Sequence, residues 1–277
     1  MTGFHALARP NMQAGRHVCV GLDPVLERLP PSLAAGQPPA ARLVAFGAAI
    51  VDATADLAAA YKPNTAFYEA HGAAGVDALH QTVDHIRRRA PDVPVILDAK
   101  RADIASTNDG YVTAAFDALG AHAITLHPYL GREALEPFLA RADRVSFVLV
   151  RTSNPGGGEL QELVVDGLPL YRHVARAVAG PWNARGNCGL VVGATRPAEL
   201  AAVRDDVGPD VPILIPGVGA QGGDLEATVV AASGRGSDAF LISVSRTILY
   251  ASSGPDFPDA ARAELQRLDA AILAAAV

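Results

Sequence analysis

The chain has 277 residues, half of them hydrophobic, and 23 Lys and Arg against 29 Asp and Glu give it a formal net charge of −6. That length accommodates one large barrel or two modest domains. The acidic balance excludes sequence-independent nucleic-acid binding, which needs a dense basic face to displace counterions, but leaves room for a small anionic ligand held by one or two local cations.

At the N-terminus, MTGFHALARPNMQAGR has no continuous apolar run of the kind a signal peptide needs, and it reads as a short helical segment before the first strand. No later stretch reaches the roughly 18–20 apolar residues of a membrane span, so the protein is expected to be soluble and cytoplasmic. The first strand candidate is HVCVGLD (17–23); a Pro-rich loop (29–39) and a helix over 41–57 lead to the second, AAAYKPN (58–64). A helix over 76–90 precedes VPVILDAK (93–100), and one over 113–121 precedes AITLHPY (123–129). The pattern continues with helix 131–142 and SFVLVRTSN (146–154), helix 169–183 and CGLVVGAT (188–195), then helix 197–206 and VPILIPGVG (211–219). Helix 223–233, DAFLISVSR (238–246) and helix 258–275 complete it. Cys19 and Cys188 each sit in or beside an apolar run, which suits buried free thiols in a reducing compartment rather than a disulfide.

Strands buried on both faces read as near-continuous Val/Ile/Leu runs, and alternating them with helices implies parallel β/α units. Eight such units fit a closed (β/α)8 barrel, the TIM barrel, with residues 1–277 forming a single domain. An open doubly wound sheet would alternate in the same way. It would be favoured by a Gly-rich dinucleotide fingerprint after the first strand, where GLDPVLERLPPS instead has Pro where the helix should begin.

In such barrels the active site lies at the C-terminal strand ends. Those ends carry Asp23, Lys62 and Asn64, Asp98 and Lys100 with Asp103 just beyond, His127, the group Thr152, Ser153 and Asn154, the turn PGVGAQGGD, and Arg246. A single polar strand tip is ordinary solvation or capping. As a set, two carboxylates and two ammoniums in one mouth are costly to desolvate unless paired, so stability alone does not account for them. Asp98 and Lys100 are two apart, which directs both side chains to the same face of their strand. After the seventh strand, the Gly-rich turn lets backbone N–H groups approach an anion, Asp224 opens a helix, and Arg246 adds a fork-shaped donor, together a phosphate site.

LDAKRADIAST (97–107) fits D-x-K-x-x-D-I-x-x-T, the signature of orotidine 5′-phosphate decarboxylase, and VGLDP, YKPNTAFYE, RTSNPG, PGVGAQGGD and SRTILY agree with it along all eight strands. The chain most resembles a longer bacterial branch of that family. The resemblance implies metal-free, cofactor-free decarboxylation of orotidine 5′-monophosphate to uridine 5′-monophosphate (UMP), the last step of de novo UMP synthesis. It makes Lys100 the proton donor to C6 of the pyrimidine, puts Asp98 near the departing carboxylate, and gives Lys62 the task of holding the charged network together. Asp103 would complete that network from a neighbouring subunit, with Thr107 also reaching across, so a homodimer is implied. Asp23 and Thr107 would contact the ribose, Ser153 the pyrimidine, and Gln221 and Arg246 the phosphate. One departure is Ser245, where many family members have Gly before the Arg; its backbone N–H survives. The Gly-rich segment 154–167 is assigned a lid role.

Three other readings remain open. A metal-dependent sugar-phosphate decarboxylase or aldolase of the same superfamily would need oxygen ligands, but the second strand presents Lys62 in place of a carboxylate. A Schiff-base aldolase would need Lys62 or Lys100 at lowered pKa, against the trend set by neighbouring carboxylates. A barrel that only binds phosphorylated ligands leaves Asp98, Lys100 and Asp103 without a purpose. His127 is assigned to packing or hydrogen bonding at the rim, and the eight histidines show no metal-ligand spacing.

Overall fold

All eight apolar runs become strands; most are trimmed at their polar tips, whereas the third begins later than expected and runs one residue further, to Arg101. The computed structural model describes residues 2–31, 33–219 and 222–276. The strands are β1 (Val18–Leu22), β2 (Ala60–Pro63), β3 (Ile96–Arg101), β4 (Ala123–Leu126), β5 (Val145–Arg151), β6 (Cys188–Val192), β7 (Ile213–Pro216) and β8 (Phe240–Val244). They pair in parallel in the order β2-β1-β8-β7-β6-β5-β4-β3. Isolated bridges between Tyr61 and Val95 and between Asn64 and Asp98 join the two ends, closing the (β/α)8 barrel.

Strand alternation divides the apolar residues into two cores. One face packs outward against the helices, chiefly Pro39–Thr54, Gly72–Arg89, Gly131–Leu139, Leu170–Ala179, Pro197–Val207, Leu225–Ala232 and Phe257–Ala275. The other fills the barrel itself with Cys19, Ala60, Ile96, Ala123, Phe147, Val191, Leu214 and Leu241. The N-terminal helix, Phe4–Gln13, inserts Phe4, Ala8 and Met12 into this inner core. Spaced four apart, these lie on one helical face, and Phe4 meets Phe147 edge-on at 5.5 Å. This helix corks the barrel at the end opposite the strand tips.

The helix expected over 113–121 starts earlier, as Ser106–Val112, and ends in a π-turn over Thr113–Ala118. Its opening sequence, STNDG, has weak helical propensity. What fixes it is tertiary: buried Asn108 accepts from Asp103 N and donates to the carbonyls of Asp103 and Ala134. No helix among the described residues is long and apolar enough to cross a membrane.

Away from the mouth, the fully buried Arg204 takes the place of an apolar core residue. Its guanidinium donates to the carbonyls of Ala232 (3.0 Å), Gly208 (2.9 Å), Val211 (2.8 Å) and Ala239 (2.9 Å). Burial lowers its pKa to about 10, which still leaves it charged at neutral pH. Arg204→Leu would strand all four acceptors, and we expect it to lower unfolding free energy by on the order of 3 kcal/mol. Urea denaturation checks this; an unchanged midpoint would show that the carbonyls find other donors.

Candidate active site

The strand tips surround a cavity of about 470 Å³ to which Asp23, Lys62, Asp98, Lys100, Ser153 and Arg246 all contribute. A cavity of similar size, about 510 Å³, lies beside the N-terminal helix and lacks any such network of charges. At the mouth, Lys62 Nζ donates to Asp98 Oδ2 at 3.0 Å and Lys100 Nζ donates to Asp98 Oδ1 at 2.6 Å. Asp98 therefore sits between two ammoniums, with one oxygen for each. Asp98 and Lys62 are buried, at 9 % and 5 % exposed, whereas the Lys100 side chain is half-exposed toward the cavity.

Burial alone would raise the Asp98 pKa, but attraction from Lys62 and then Lys100 outweighs it and holds the carboxyl below its ordinary range. For Lys62 the balance has the opposite sign: burial favours the neutral amine, attraction to Asp98 and then Asp23 outweighs burial, and the pKa ends above its ordinary value. Both groups are charged at neutral pH. Directly beneath them, burial pushes the Cys19 thiol up to about 12, so it remains protonated.

Asp98 and Lys100 do meet, but simple alternation along a strand is not the reason. Between Leu97 and Arg101 the β3 ladder slips against β4, where Ile124 and Leu126 are the corresponding partners, so three residues of β3 face Thr125 alone. Lys100 adopts φ +46°, the left-handed region. Thr125 Oγ1 accepts from the N–H groups of Ala99 (3.0 Å) and Lys100 (2.9 Å) and donates to Asp98 Oδ1 (2.9 Å). Sequence reasoning missed Thr125. The available signal was one polar residue inside the otherwise apolar run AITL.

Asp23 lines the cavity from β1, and its Oδ1 is buried without a hydrogen-bond donor among the described residues. The hydroxyl of Tyr250 fixes the turn around it, accepting from Val25 N at 2.7 Å and donating to Asp23 O at 3.4 Å. Ser153 approaches the end of β6 so closely that a Cβ on Gly193 would lie 2.8 Å from the Ser153 nitrogen, which explains glycine there. Ser245, just past β8, fits because the facing residue is Gly21, where a Cβ would come within 2.7 Å of the Ser245 Cβ. Exposed Arg246 follows, forming no ion pair among the described residues. Leu149, Val191 and Leu214 give the cavity an apolar floor, also missed from sequence because inward-facing strand residues read simply as core. Gln221 lies outside the described residues.

Asp103 and Thr107 are not brought to this cavity by their own chain. Asp103 Oδ1 accepts from Ile104 N at 2.7 Å, and Thr107 is exposed in the first turn of Ser106–Val112. Near them on the rim, three apolar side chains face solvent: Ile104 (61 % exposed), Tyr129 (84 %) and Leu130 (43 %).

The segment expected as a lid folds into short turns over Pro155–Gln161 and a small hairpin pairing Val164–Val165 with Leu168–Pro169. It is anchored at its middle. Gln161 Oε1 accepts from Thr152 N (2.9 Å) and Arg151 Nη1 (3.1 Å), and buried Arg151 pairs with Glu162 and Glu199. Closure over the mouth by the whole segment would break these contacts.

Comparison with known proteins adds independent findings. The family model described as "Orotidine 5'-phosphate decarboxylase / HUMPS family" matches residues 16–256. Orotidine 5′-phosphate decarboxylase of Roseiflexus castenholzii is 52% identical over 276 residues, 99% of this chain and 98% of that protein. The structure of Leishmania donovani OMP decarboxylase superposes with a TM-score of 0.81 at 40% identity, covering 99% of each chain. Leishmania donovani UMP synthase superposes at 0.84 with 41% identity over 99% of this chain, which spans 57% of that longer one.

Proposed function

This chain belongs to the orotidine 5′-phosphate decarboxylase family, and from that membership we propose that its Lys62, Asp98 and Lys100 form the catalytic apparatus. The reaction is decarboxylation of orotidine 5′-monophosphate to UMP, which makes the protein a carbon–carbon lyase. The observation that carries the assignment of residues is the buried carboxylate held between two ammoniums at the mouth of the barrel.

Breaking the bond from C6 to the carboxylate leaves its electron pair on a ring carbon with no adjacent carbonyl to delocalise it, and releases CO2. The Lys100 ammonium beside that carbon stabilises the developing charge and then delivers a proton to it. The amine left behind is reprotonated from solvent. Because the ammonium is already fixed by Asp98, little reorganisation accompanies the step. Lys62 keeps Asp98 ionised and in place, and the carboxylate of Asp98 faces the departing one. The apolar floor of Leu149, Val191 and Leu214 suits a neutral CO2 better than a carboxylate.

Asp23, with its unpartnered oxygen, supports a role in accepting from a ribose hydroxyl. Ser153 is assigned to the pyrimidine, and Arg246 with Gln221 to the phosphate, whose remote binding energy orients the ring. Asp103 and Thr107 are assigned to the neighbouring site of a homodimer. This is supported by their absence from their own cavity and by the apolar rim of Ile104, Tyr129 and Leu130, which a second copy would cover. We read residues 1–277 as one barrel domain, and the two buried free thiols support a reducing, cytoplasmic setting.

Orotidine 5′-monophosphate added to EDTA-treated protein should lose its ultraviolet absorbance as UMP forms. Conversion that depended on added Mg2+ would overturn the metal-free assignment in favour of the sugar-phosphate lyase chemistry of related barrels.

A further inference from the structure

We propose that Thr125 is a positioning residue for the reaction: its hydroxyl holds the β3 bulge in the conformation that places the Lys100 ammonium on Asp98. The inference rests on the reading that Lys100 donates the proton.

In a regular parallel ladder alternate N–H groups of β3 would be met by carbonyls of β4, and successive ones would not turn to the same side. The slip between Leu97 and Arg101 takes Ala99 and Lys100 out of that register. Both of their N–H groups turn instead to Thr125 Oγ1, at 3.0 and 2.9 Å. A hydroxyl has one proton and two acceptor sites. Here both acceptor sites are taken by the bulge, and the proton goes to Asp98 Oδ1 at 2.9 Å. The same oxygen receives Lys100 Nζ. One side chain thus fixes the backbone of the proton donor and the carboxylate that orients its ammonium. Thr125 is 2 % exposed and lies at the wall of the cavity.

The backbone of Lys100 shows why such a clamp is needed. Left-handed φ is unfavourable for a residue with a Cβ and persists only where its surroundings over-determine it. Without the hydroxyl, two part-buried N–H groups would lose their acceptor, and relaxing the bulge toward an ordinary strand would relieve both problems while withdrawing Lys100 from Asp98. Thr125 need not touch the substrate to have this effect.

The test compares Thr125→Val, which keeps the shape and removes the hydroxyl, with Thr125→Ser, which keeps the hydroxyl. For Val we expect kcat on orotidine 5′-monophosphate to fall about a hundredfold, as a displacement near 1 Å at the reacting group would produce, with the Kd for UMP moving less than about threefold. For Ser we expect kcat within about fivefold of wild type. In a crystal structure of the Val variant, Lys100 should leave the left-handed region. Should Thr125→Val fail to fold, Thr125→Ala carries the same expectations.

Wild-type kcat in the Val variant, or a Ser variant as impaired as Val, would overturn the proposal. So would a Val structure in which Lys100 keeps its φ and its contact with Asp98. If the wild-type protein does not convert orotidine 5′-monophosphate, the functional reading falls on its own, and the Val structure still decides whether Thr125 holds the bulge.

Discussion

Lys100→Ala is expected to lower kcat by about 10⁴-fold or more while UMP still binds within about tenfold of wild type. Two effects are lost together: a positioned proton donor, and a fixed positive charge beside the carbon where negative charge develops. Donor and charge belong to one atom, Nζ, so no neighbour can replace either; Lys62 is committed to the other oxygen of Asp98. Binding should persist because Arg246, Asp23 and Ser153 line the cavity from other strands. Asp98 also keeps Lys62 as a partner, so the variant does not bury an unpaired carboxylate. Loss of ultraviolet absorbance gives the rate and titration calorimetry with UMP gives the affinity. A kcat within tenfold of wild type would remove Lys100 from the chemical step.

The second large effect is a recovery of activity. Asp103→Ala and Lys100→Ala, each inactive alone, should regain about one quarter of wild-type sites when mixed in equal amounts and allowed to exchange subunits. Random exchange makes half of the dimers mixed. In a mixed dimer one site carries both substitutions, and the other combines an intact Lys100 with an intact Asp103 from its partner. Asp103 lies outside the cavity of its own chain, bonded locally to Ile104 N, and this motivates the experiment. Mixtures shown by mass spectrometry to have exchanged, yet without recovered turnover, would refute the shared site.

Much of this arrangement was legible in the sequence because burial leaves a strong imprint on strands. The eight runs that became β1 to β8 are largely apolar, and polar residues at nearly every tip mark where the strands emerge at the mouth. Asp23, Lys62, Asp98, Lys100 and Arg246 were found by that rule, and all of them line the cavity. The bulge was not legible. LDAKR looks like the continuation of a strand, and nothing in the residue type of Lys100 signals a left-handed backbone. The conformation depends on Thr125, 25 residues further along, through hydrogen bonds that only the folded ladder creates. Ser106–Val112 was missed for a related reason: its helix is secured by Asn108 reaching the carbonyl of Ala134, against local propensity. The anchor of the expected lid likewise depends on Arg151 meeting Glu199, 48 residues away. Periodicity reports which residues are buried, and long-range polar contacts lie outside what it can report.

The helix of Phe4, Ala8 and Met12 has a bearing on traffic through the site. With its bore packed by side chains and its far end stoppered, the barrel is blind from below among the described residues, and solvent, nucleotide and gas would exchange at the mouth. Nothing can depart from below while something else arrives from above. Turnover then has an enforced order: the mouth must empty before it can be refilled, and a bound nucleotide is itself the obstacle past which any smaller product must escape.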